Sequence, residues 1–256
     1  MRNSRVLRET RAGKLASCLK LNIVHPSVIE LAGLAGASSV WLCNEHVPND
    51  WTEMTHAIRA AKNFDMDTII RISKGSYSDY VKPFEADAAG IMVPHVTSAE
   101  EARWIVENCR FRPLGSRALD GGNMDGHYCQ LPVSEYLELS NREKFIILQI
   151  ESPEAVEVID EIAAVPGYDF LLFGPGDYSH RSGHVGDIFH PEVEDARRKV
   201  EEAAKRHGKM LFSVAASGTN KELLDRGYTV QTVGGDVVSL FKIFQAAVSH
   251  VKDEEG

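Results

Sequence analysis

Two acidic residues, Glu151 and Asp177, are the best candidates in this 256-residue sequence for binding a metal ion. Glu151 ends the apolar run FIILQIE, and Asp177 follows the apolar run DFLLFGPG. Carboxylate oxygens suit a hard divalent cation that keeps several waters, such as Mg²⁺ or Mn²⁺. The alternative is that both residues are solvated loop carboxylates, because acids after strands are common.

Other residues after apolar runs could act on a substrate at such an ion. Arg71 interrupts the run TIIRIS, where it could meet a developing negative charge or merely pair with a neighbouring acid. His46 could transfer a proton through water, although a lone histidine is more often a packing residue. Gln149 offers an amide, and the backbone near Gly176 could approach an anion closely.

One arrangement of elements would bring these residues together. The chain alternates β-rich runs with amphipathic segments, which is typical of an α/β fold. Predicted strands are 14–22, 38–44, 67–73, 90–95, 145–151, 169–174, 209–214 and 229–233. Predicted helices are 26–36, 49–64, 77–88, 98–109, 133–142, 153–165, 191–207, 219–226 and about 239–252.

Eight strands in about 250 residues predict a (β/α)8 TIM barrel that forms a single domain over residues 1–256. An open doubly wound sheet is the alternative, but no glycine-rich dinucleotide turn follows the first strand. In a barrel, the residues that follow the strands meet at one mouth. Lys74 lies just past its strand, so a Schiff-base lysine mechanism is not favoured.

Composition restricts the possible partners. Hydrophobic residues make up 43% and charged residues 25%, and the net charge of −9 argues against nucleic-acid binding. No apolar run reaches the ~20 residues that span a membrane, and the basic N-terminus lacks the apolar stretch of a signal peptide. The four cysteines have no CxxC spacing, so we expect a reducing, cytoplasmic setting.

Three further segments of the sequence lead to predictions about their structural roles. Residues 111–132 are rich in glycine and proline and too long for an ordinary connection, which predicts a lid or an interface loop. We expect His180, His184 and His190 to be solvated or to stabilise their loop, because no third-ligand pattern accompanies them. The last helix has an apolar stripe that either packs on a neighbouring subunit or closes the chain's own barrel.

The ordered motifs of the chain resemble those of the HpcH/HpaI aldolase family, whose members are metal-dependent pyruvate aldolases that cleave 4-hydroxy-2-oxo acids. The resemblance covers nearly the whole chain. It is carried by Gly13-Lys14, Pro26 to Glu30, Glu45-His46, Arg71, Ile91 to Pro94, Leu114 to Arg117, Gln149-Ile-Glu151, GPGDYS at 174–179, His190 to Val193 and GGD at 234–236.

The resemblance implies a role for each matching residue. Glu151 and Asp177 would be the metal ligands, and Gln149 would reach the metal through water. Arg71 would contact the carbonyl oxygen of pyruvate and stabilise the enolate, and the backbone at Gly176 and Asp177 would receive the substrate carboxylate. The metal would be Mg²⁺ or Mn²⁺, with Co²⁺ or Zn²⁺ as alternatives, and the substrates a 2-oxo acid and an aldehyde.

The resemblance also implies a homo-oligomer, commonly a hexamer, in which His46 transfers a proton with help from a neighbouring subunit's carboxylate. Glu85 matches that position, where the family has Asp, and Asp87 is the fallback. Cys43 also departs from the family, which usually has Asp there. Two other functions stay open: a lyase acting on a malyl-CoA or citryl-CoA thioester, and a barrel that binds a 2-oxo acid without catalysis.

Overall fold

Eight short apolar runs form parallel strands that pair in chain order, and the last strand closes on the first. The computed structural model describes residues 1–214 and 216–253. The strands are β1 Ala16–Leu21, β2 Ser39–Cys43, β3 Asp67–Arg71, β4 Gly90–Val93, β5 Phe145–Ile150, β6 Phe170–Phe173, β7 Met210–Ser213 and β8 Tyr228–Gly235. The predicted single (β/α)8 barrel is confirmed.

Helices connect the strands and cover the outside of the barrel. Within the described residues they are α1 Arg5–Arg11, α2 Pro26–Leu34, α3 Trp51–Lys62, α4 Tyr77–Glu85, α5 Ala99–Cys109, α6 Val133–Glu143, α7 Pro153–Glu157, α8 Ile159–Ala164, α9 Pro175–Arg181, α10 Pro191–Arg206, α11 Asn220–Asp225 and α12 Asp236–Asp253.

The observed helices differ from the prediction in three places. The predicted helix 153–165 divides at Val158, whose φ of −108° and ψ of 19° leave the helical region. Helix α9 was expected to be a loop, because Gly174 and Gly176 around a proline are typical of a turn, but Pro175 occupies the first helical position, where proline is tolerated. Helix α1 was not predicted, since the basic N-terminal residues show no clear apolar stripe.

Two apolar layers hold the barrel together. The outer layer packs the helices against the sheet. The inner layer fills the barrel with side chains from alternate strand positions, as expected for parallel strands that face two layers. Val6 and Leu7 of α1, only 0% and 4% exposed, join the inner layer. Because Asp67 at the start of β3 accepts from the backbone N–H of Val6 at 2.8 Å, α1 closes the barrel at the N-terminal ends of the strands.

The segment 111–132 packs along α4 and does not lie over the mouth of its own chain. The hydroxyl of Tyr77, in the first turn of α4, accepts from the backbone N–H of Ala118 at 2.9 Å. His127 lies 3.2 Å from the backbone oxygen of Met1. Of the two predicted roles, a lid over the same chain's mouth is therefore wrong, and the role in an interface stays a prediction.

Helix α12 does not bury its apolar stripe against its own barrel. Phe241, Ile243 and Phe244 are 63%, 62% and 62% exposed, and Val248 is 55% exposed. The alternative in which the stripe closes the barrel is therefore wrong. No helix among the described residues is long and apolar enough to cross a bilayer.

Candidate active site

A cavity of about 320 Å³ opens at the C-terminal ends of the strands. It contains four residues that the sequence placed at the mouth, namely Arg71, Gln149, Gly176 and Asp177. Its full lining is Lys20, Trp41, Arg71, Gln149, Leu172, Gly174, Pro175, Gly176, Asp177, Ile188, Val214 and Thr232. The rule that strand ends converge on one mouth therefore located most of the predicted site.

Glu151 is buried beside this cavity, with only 1% of its side chain exposed. Its Oε1 accepts from the backbone N–H of His95 at 2.8 Å, and its Oε2 accepts from the side-chain amide of Gln149. Burial, opposed by the hydrogen bond from His95 and assisted by the nearby charges of Asp177 and Glu45, raises the pKa of Glu151 to about 8. A carboxylate in this setting is stabilised by a positive charge placed next to it.

The surroundings of Glu151 fit a small hard cation. Glu151 and Asp177 supply carboxylate oxygens, and Gln149 Oε1 is buried without a hydrogen-bond partner among the described residues. Gly174 leaves the necessary room, because a Cβ there would lie 2.6 Å from Glu151 Oε2. An oxygen-only donor set favours Mg²⁺ or Mn²⁺ over softer metals.

Arg71 is buried at the end of β3, and contacts with three neighbouring side chains fix its orientation. Its Nε lies 3.0 Å from Glu45 Oε2, and its guanidinium carbon lies 4.9 Å from the centre of the Trp41 ring. Its Nη2 donates to Cys43 Sγ at 3.1 Å. The thiol at position 43 therefore contacts the arginine and also accepts from the backbone N–H of His46 at 3.4 Å.

Glu45 connects the arginine to two histidines. Its Oε2 lies 3.3 Å from His46 Nε2, and its Oε1 lies 3.1 Å from His95 Nε2. The other ring nitrogen of His95 lies 2.9 Å from Glu151 Oε1, so His95 bridges the two carboxylates. The His46 side chain is 60% exposed, which leaves it at the rim of the site and accessible to water.

His95 was not predicted from the sequence, although it follows β4 by two residues and the strand-end rule applies to it. Its backbone φ of 51° is left-handed, a strained conformation for a non-glycine residue that is frequent at functional sites. Lys74 donates to the backbone oxygen of His95 at 2.8 Å and pairs with Glu101. Lys74 thus holds this loop and does not line the cavity.

The structure does not bring Glu85 or Asp87 to the mouth of its own chain. Glu85 ends α4, beyond which the chain turns into the N-terminal end of β4, and it lies 3.9 Å from Arg117. Asp87 is buried between Lys62 and Lys144, with which it forms ion pairs. Asp87 therefore has a structural role, and Glu85 could serve only another subunit's site.

Of the three histidines singled out in the sequence, His184 and His190 lie close together after α9, whereas His180 lies within that helix. His184 and His190 stack at 3.5 Å between ring centres, and His184 Nε2 lies 2.7 Å from Glu192 Oε2. His190 caps α10 by accepting from the backbone N–H of Glu192. The ligand atoms of His184, His190 and Glu192 lie within 4.8 Å of one another, so the loop-stabilising role of these histidines stays a prediction. His180 has no part in this cluster.

A closed parallel barrel with carboxylates, an arginine and histidines at its mouth is an enzyme of the (β/α)8 class, with a site suited to a divalent cation. The chain belongs to the HpcH/HpaI aldolase/citrate lyase family, whose sequence profile matches residues 17–242.

Individual relatives agree with this assignment. A 5-keto-4-deoxy-D-glucarate aldolase of Klebsiella pneumoniae subsp. pneumoniae is 31% identical over 237 residues, which are 90% of this chain and 88% of the relative. The crystal structure of an HpcH/HpaI aldolase from Desulfitobacterium hafniense is 30% identical, with a TM-score of 0.89 and 96% of each chain covered. The crystal structure of the citrate synthase SbnG is 25% identical, with a TM-score of 0.89 and 99% and 98% covered.

The chain is therefore an aldolase, a carbon–carbon lyase of the metal-dependent class, and this prediction is confirmed.

Proposed function

We propose that this aldolase cleaves and forms 4-hydroxy-2-oxo acids, with pyruvate or a similar 2-oxo acid and an aldehyde as the partners, through an enolate. The observation that carries the proposal is the buried Glu151, which lies near Asp177 and beside the cavity that Arg71 and Asp177 line. The two carboxylates can hold a metal ion, and the fixed guanidinium of Arg71 can offset the negative charge that develops on the oxygen of the enolate.

Glu151 and Asp177 would hold the metal ion, and Gln149 would orient a water between itself and that ion. When bound, a divalent cation polarises the carbonyl of a 2-oxo acid as a Lewis acid. The oxygen donors favour Mg²⁺ or Mn²⁺. His95 holds Glu151 through two contacts to Oε1, at 2.8 and 2.9 Å, while Gln149 donates to Oε2.

Arg71 would bind the carbonyl oxygen and stabilise the negative charge that develops on it. Its guanidinium is fixed in advance by Glu45, Cys43 and Trp41, so little reorganisation is needed during the reaction. The backbone N–H groups at Gly176 and Asp177, in the first turn of α9, would receive the substrate carboxylate.

Proton transfer to and from the hydroxyl of the substrate would involve His46 through water, since this side chain is exposed at the rim. Glu45 is placed to orient the imidazole, and Glu85 of a neighbouring subunit would assist. This role requires a homo-oligomer, with a hexamer expected. The exposed apolar stripe of α12 supports association, because so large an apolar patch is rare on a monomer.

The names of the relatives support a substrate class. The glucarate in the name of the Klebsiella relative is a sugar diacid, and we propose an acidic hydroxylated 2-oxo acid for this chain as well. The test combines the protein with Mg²⁺ or Mn²⁺, pyruvate and a panel of small aldehydes, and detects aldol products by mass spectrometry. Asp177→Asn protein is the matched negative control.

We expect product that disappears on exhaustive chelation and returns with added metal. Turnover that survives chelation would contradict the metal role. Cleavage of malyl-CoA or citryl-CoA, without any aldol product, would support the thioester lyase instead. Binding of pyruvate without turnover of any substrate would support a barrel that has lost catalysis.

A further inference from the structure

His95 lies where three segments of the barrel mouth meet. Its Nε2 lies 3.1 Å from Oε1 of Glu45, which follows β2, and its Nδ1 lies 2.9 Å from Oε1 of Glu151, which follows β5. The same Nδ1 lies 3.2 Å from Nη2 of Arg181, in the last turn of α9. One imidazole therefore contacts side chains from three separate strand-end segments, because its two nitrogens lie on different edges of the ring.

The main chain holds this imidazole in a fixed place. The left-handed backbone of His95, with a φ of 51°, is a conformation that persists only where the surroundings enforce it. Its backbone N–H donates to Glu151 Oε1 at 2.8 Å, and its backbone oxygen accepts from Lys74 Nζ at 2.8 Å. The ring is thus a fixed group against which neighbouring carboxylates can be oriented.

Glu45 depends on His95 for its orientation. One of its oxygens, Oε2, lies 3.0 Å from Arg71 Nε and 3.3 Å from His46 Nε2. Among the described residues, His95 is the only ion-pair partner of the other oxygen, Oε1. Without that contact the carboxylate could rotate, because the last torsion of a glutamate is broad, and Arg71 would lose a fixed partner.

The cavity lining includes Arg71 but not His95, as far as the structure describes the chain, so His95 acts through its neighbours. We propose that His95 is a positioning residue for both halves of the site. Its imidazole orients Glu151 in the metal half, and it orients Glu45, and through it Arg71, in the other half. The assignment rests on the proposed function, which gives Glu151 and Arg71 their roles.

Three variants separate the two contacts of the ring. His95→Asn retains an amide nitrogen as many bonds from Cα as Nδ1, so it can still contact Glu151 but is too short for Glu45. His95→Gln reaches the position of Nε2, so it can still contact Glu45 but presents no nitrogen to Glu151. His95→Ala loses both contacts. The backbone N–H is common to all three, and Asn is enriched in the left-handed region.

The metal half is measured by calorimetric titration of Mn²⁺ into metal-free protein. His95→Ala and His95→Gln should raise the Kd for Mn²⁺ by about tenfold or more, as expected for losing a group that holds a metal ligand, whereas His95→Asn should stay within about threefold of the wild type. The retained backbone hydrogen bond keeps Glu151 near the cavity in every variant, so Mn²⁺ binding is weakened and not abolished.

The arginine half is measured with oxalate, a planar dianion that resembles the enolate of pyruvate, at saturating Mn²⁺. His95→Ala and His95→Asn should raise the Kd for oxalate by about two- to thirtyfold, as expected for a residue that acts on a ligand through a neighbour. His95→Gln should retain the affinity of the wild type. Opposite rescue by Asn and Gln distinguishes positioning from a general structural loss, which would weaken both affinities together.

His207 provides the matched control. Its side chain is 27% exposed, against 30% for His95, and its Nε2 lies 3.1 Å from Asp160 Oδ1 at the C-terminal end of α10. His207→Ala removes this contact far from the mouth and should leave both Kd values unchanged.

The positioning role is wrong if His95→Ala binds Mn²⁺ and oxalate as the wild type does, or if all three variants lose both affinities equally. It is also wrong if electron spin-echo spectra of the Mn²⁺-loaded protein show a directly bound nitrogen that is lost in His95→Ala, because His95 would then be a ligand. Absence of turnover with every aldehyde would refute the proposed function alone, since neither titration requires catalysis.

Discussion

Replacing Gly174 with alanine should weaken metal binding while the barrel stays folded. A Cβ at this position would lie 2.6 Å from Glu151 Oε2, 2.8 Å from Glu151 Cβ and 3.1 Å from Gln149 Nε2. Rotation of the carboxylate relieves only the first contact. The second involves the Cβ of Glu151, so either the backbone of β5 or the turn after β6 must shift.

Two magnitudes follow from this crowding. Overpacking of a close-packed site costs about 1–3 kcal/mol of unfolding free energy. Disturbing a residue that supports metal ligands lowers metal affinity by about 10- to 100-fold, which corresponds to roughly 1.4–2.7 kcal/mol. We therefore expect a weaker Mn²⁺ affinity within this range, a lower kcat/KM at limiting metal and partial recovery at high metal concentration.

The assay is calorimetric titration of Mn²⁺ into metal-free protein, with urea unfolding measured on the same samples. Gly176→Ala is the matched control, because a Cβ there meets no atom within 4 Å and would leave Glu151 in place. Its Mn²⁺ affinity should equal that of the wild type. Equal Mn²⁺ affinity in Gly174→Ala and wild-type protein would refute the reasoning, as would an equal loss in both glycine variants.

Four further changes test the remaining assignments. Glu151→Gln should abolish activity and its metal dependence while circular dichroism still shows a folded barrel; a fully active variant would exclude Glu151 as a ligand. Arg71→Lys keeps the charge but loses the planar fork, so kcat/KM should fall by the equivalent of about 2–4 kcal/mol, and pyruvate proton exchange should fall with it; normal exchange would make the residue structural. Mixing Glu85→Ala with His46→Ala protein during subunit exchange should restore part of the lost activity, whereas a fully active monomer in sedimentation would end the idea of a shared site. Asp87→Asn leaves the buried Lys144 without its counter-ion and should lower the unfolding free energy by about 3–5 kcal/mol in urea titrations; unchanged stability would contradict the structural role of Asp87.

The periodic alternation of apolar runs was enough to predict the barrel and the end at which its chemistry lies. Arg71, Gln149 and Asp177 were found because each lies at or after the C-terminal end of a recognisable strand, and the structure places all three in one cavity. Helix boundaries were less predictable where local propensity and tertiary packing disagree. Helix α9 begins at Pro175, with Gly174 at its N-cap, and proline is well tolerated at the first position of a helix.

Contacts between side chains on different strands could not be predicted, because they depend on strand register. His95 contacts Glu151 across 56 positions of sequence, and Lys20 faces Trp41 through the pairing of β1 with β2. In the sequence alone, Lys20 resembles an ordinary charge near the end of a strand. A shift of the strand by a single residue moves every side chain to the opposite face of the sheet. The sequence alone therefore does not show whether Lys20 points into the barrel.

Helix α1 restricts the route by which substrate and products enter and leave the cavity. Val6 and Leu7 fill the N-terminal end of the barrel, so the cavity is a blind pocket with a single opening. Both products of a cleavage must leave through the opening by which the substrate entered. The fragment bound deeper is then trapped until the outer one departs, which makes product release sequential. Product-inhibition kinetics should accordingly show one product competing with the intact substrate and the other inhibiting noncompetitively.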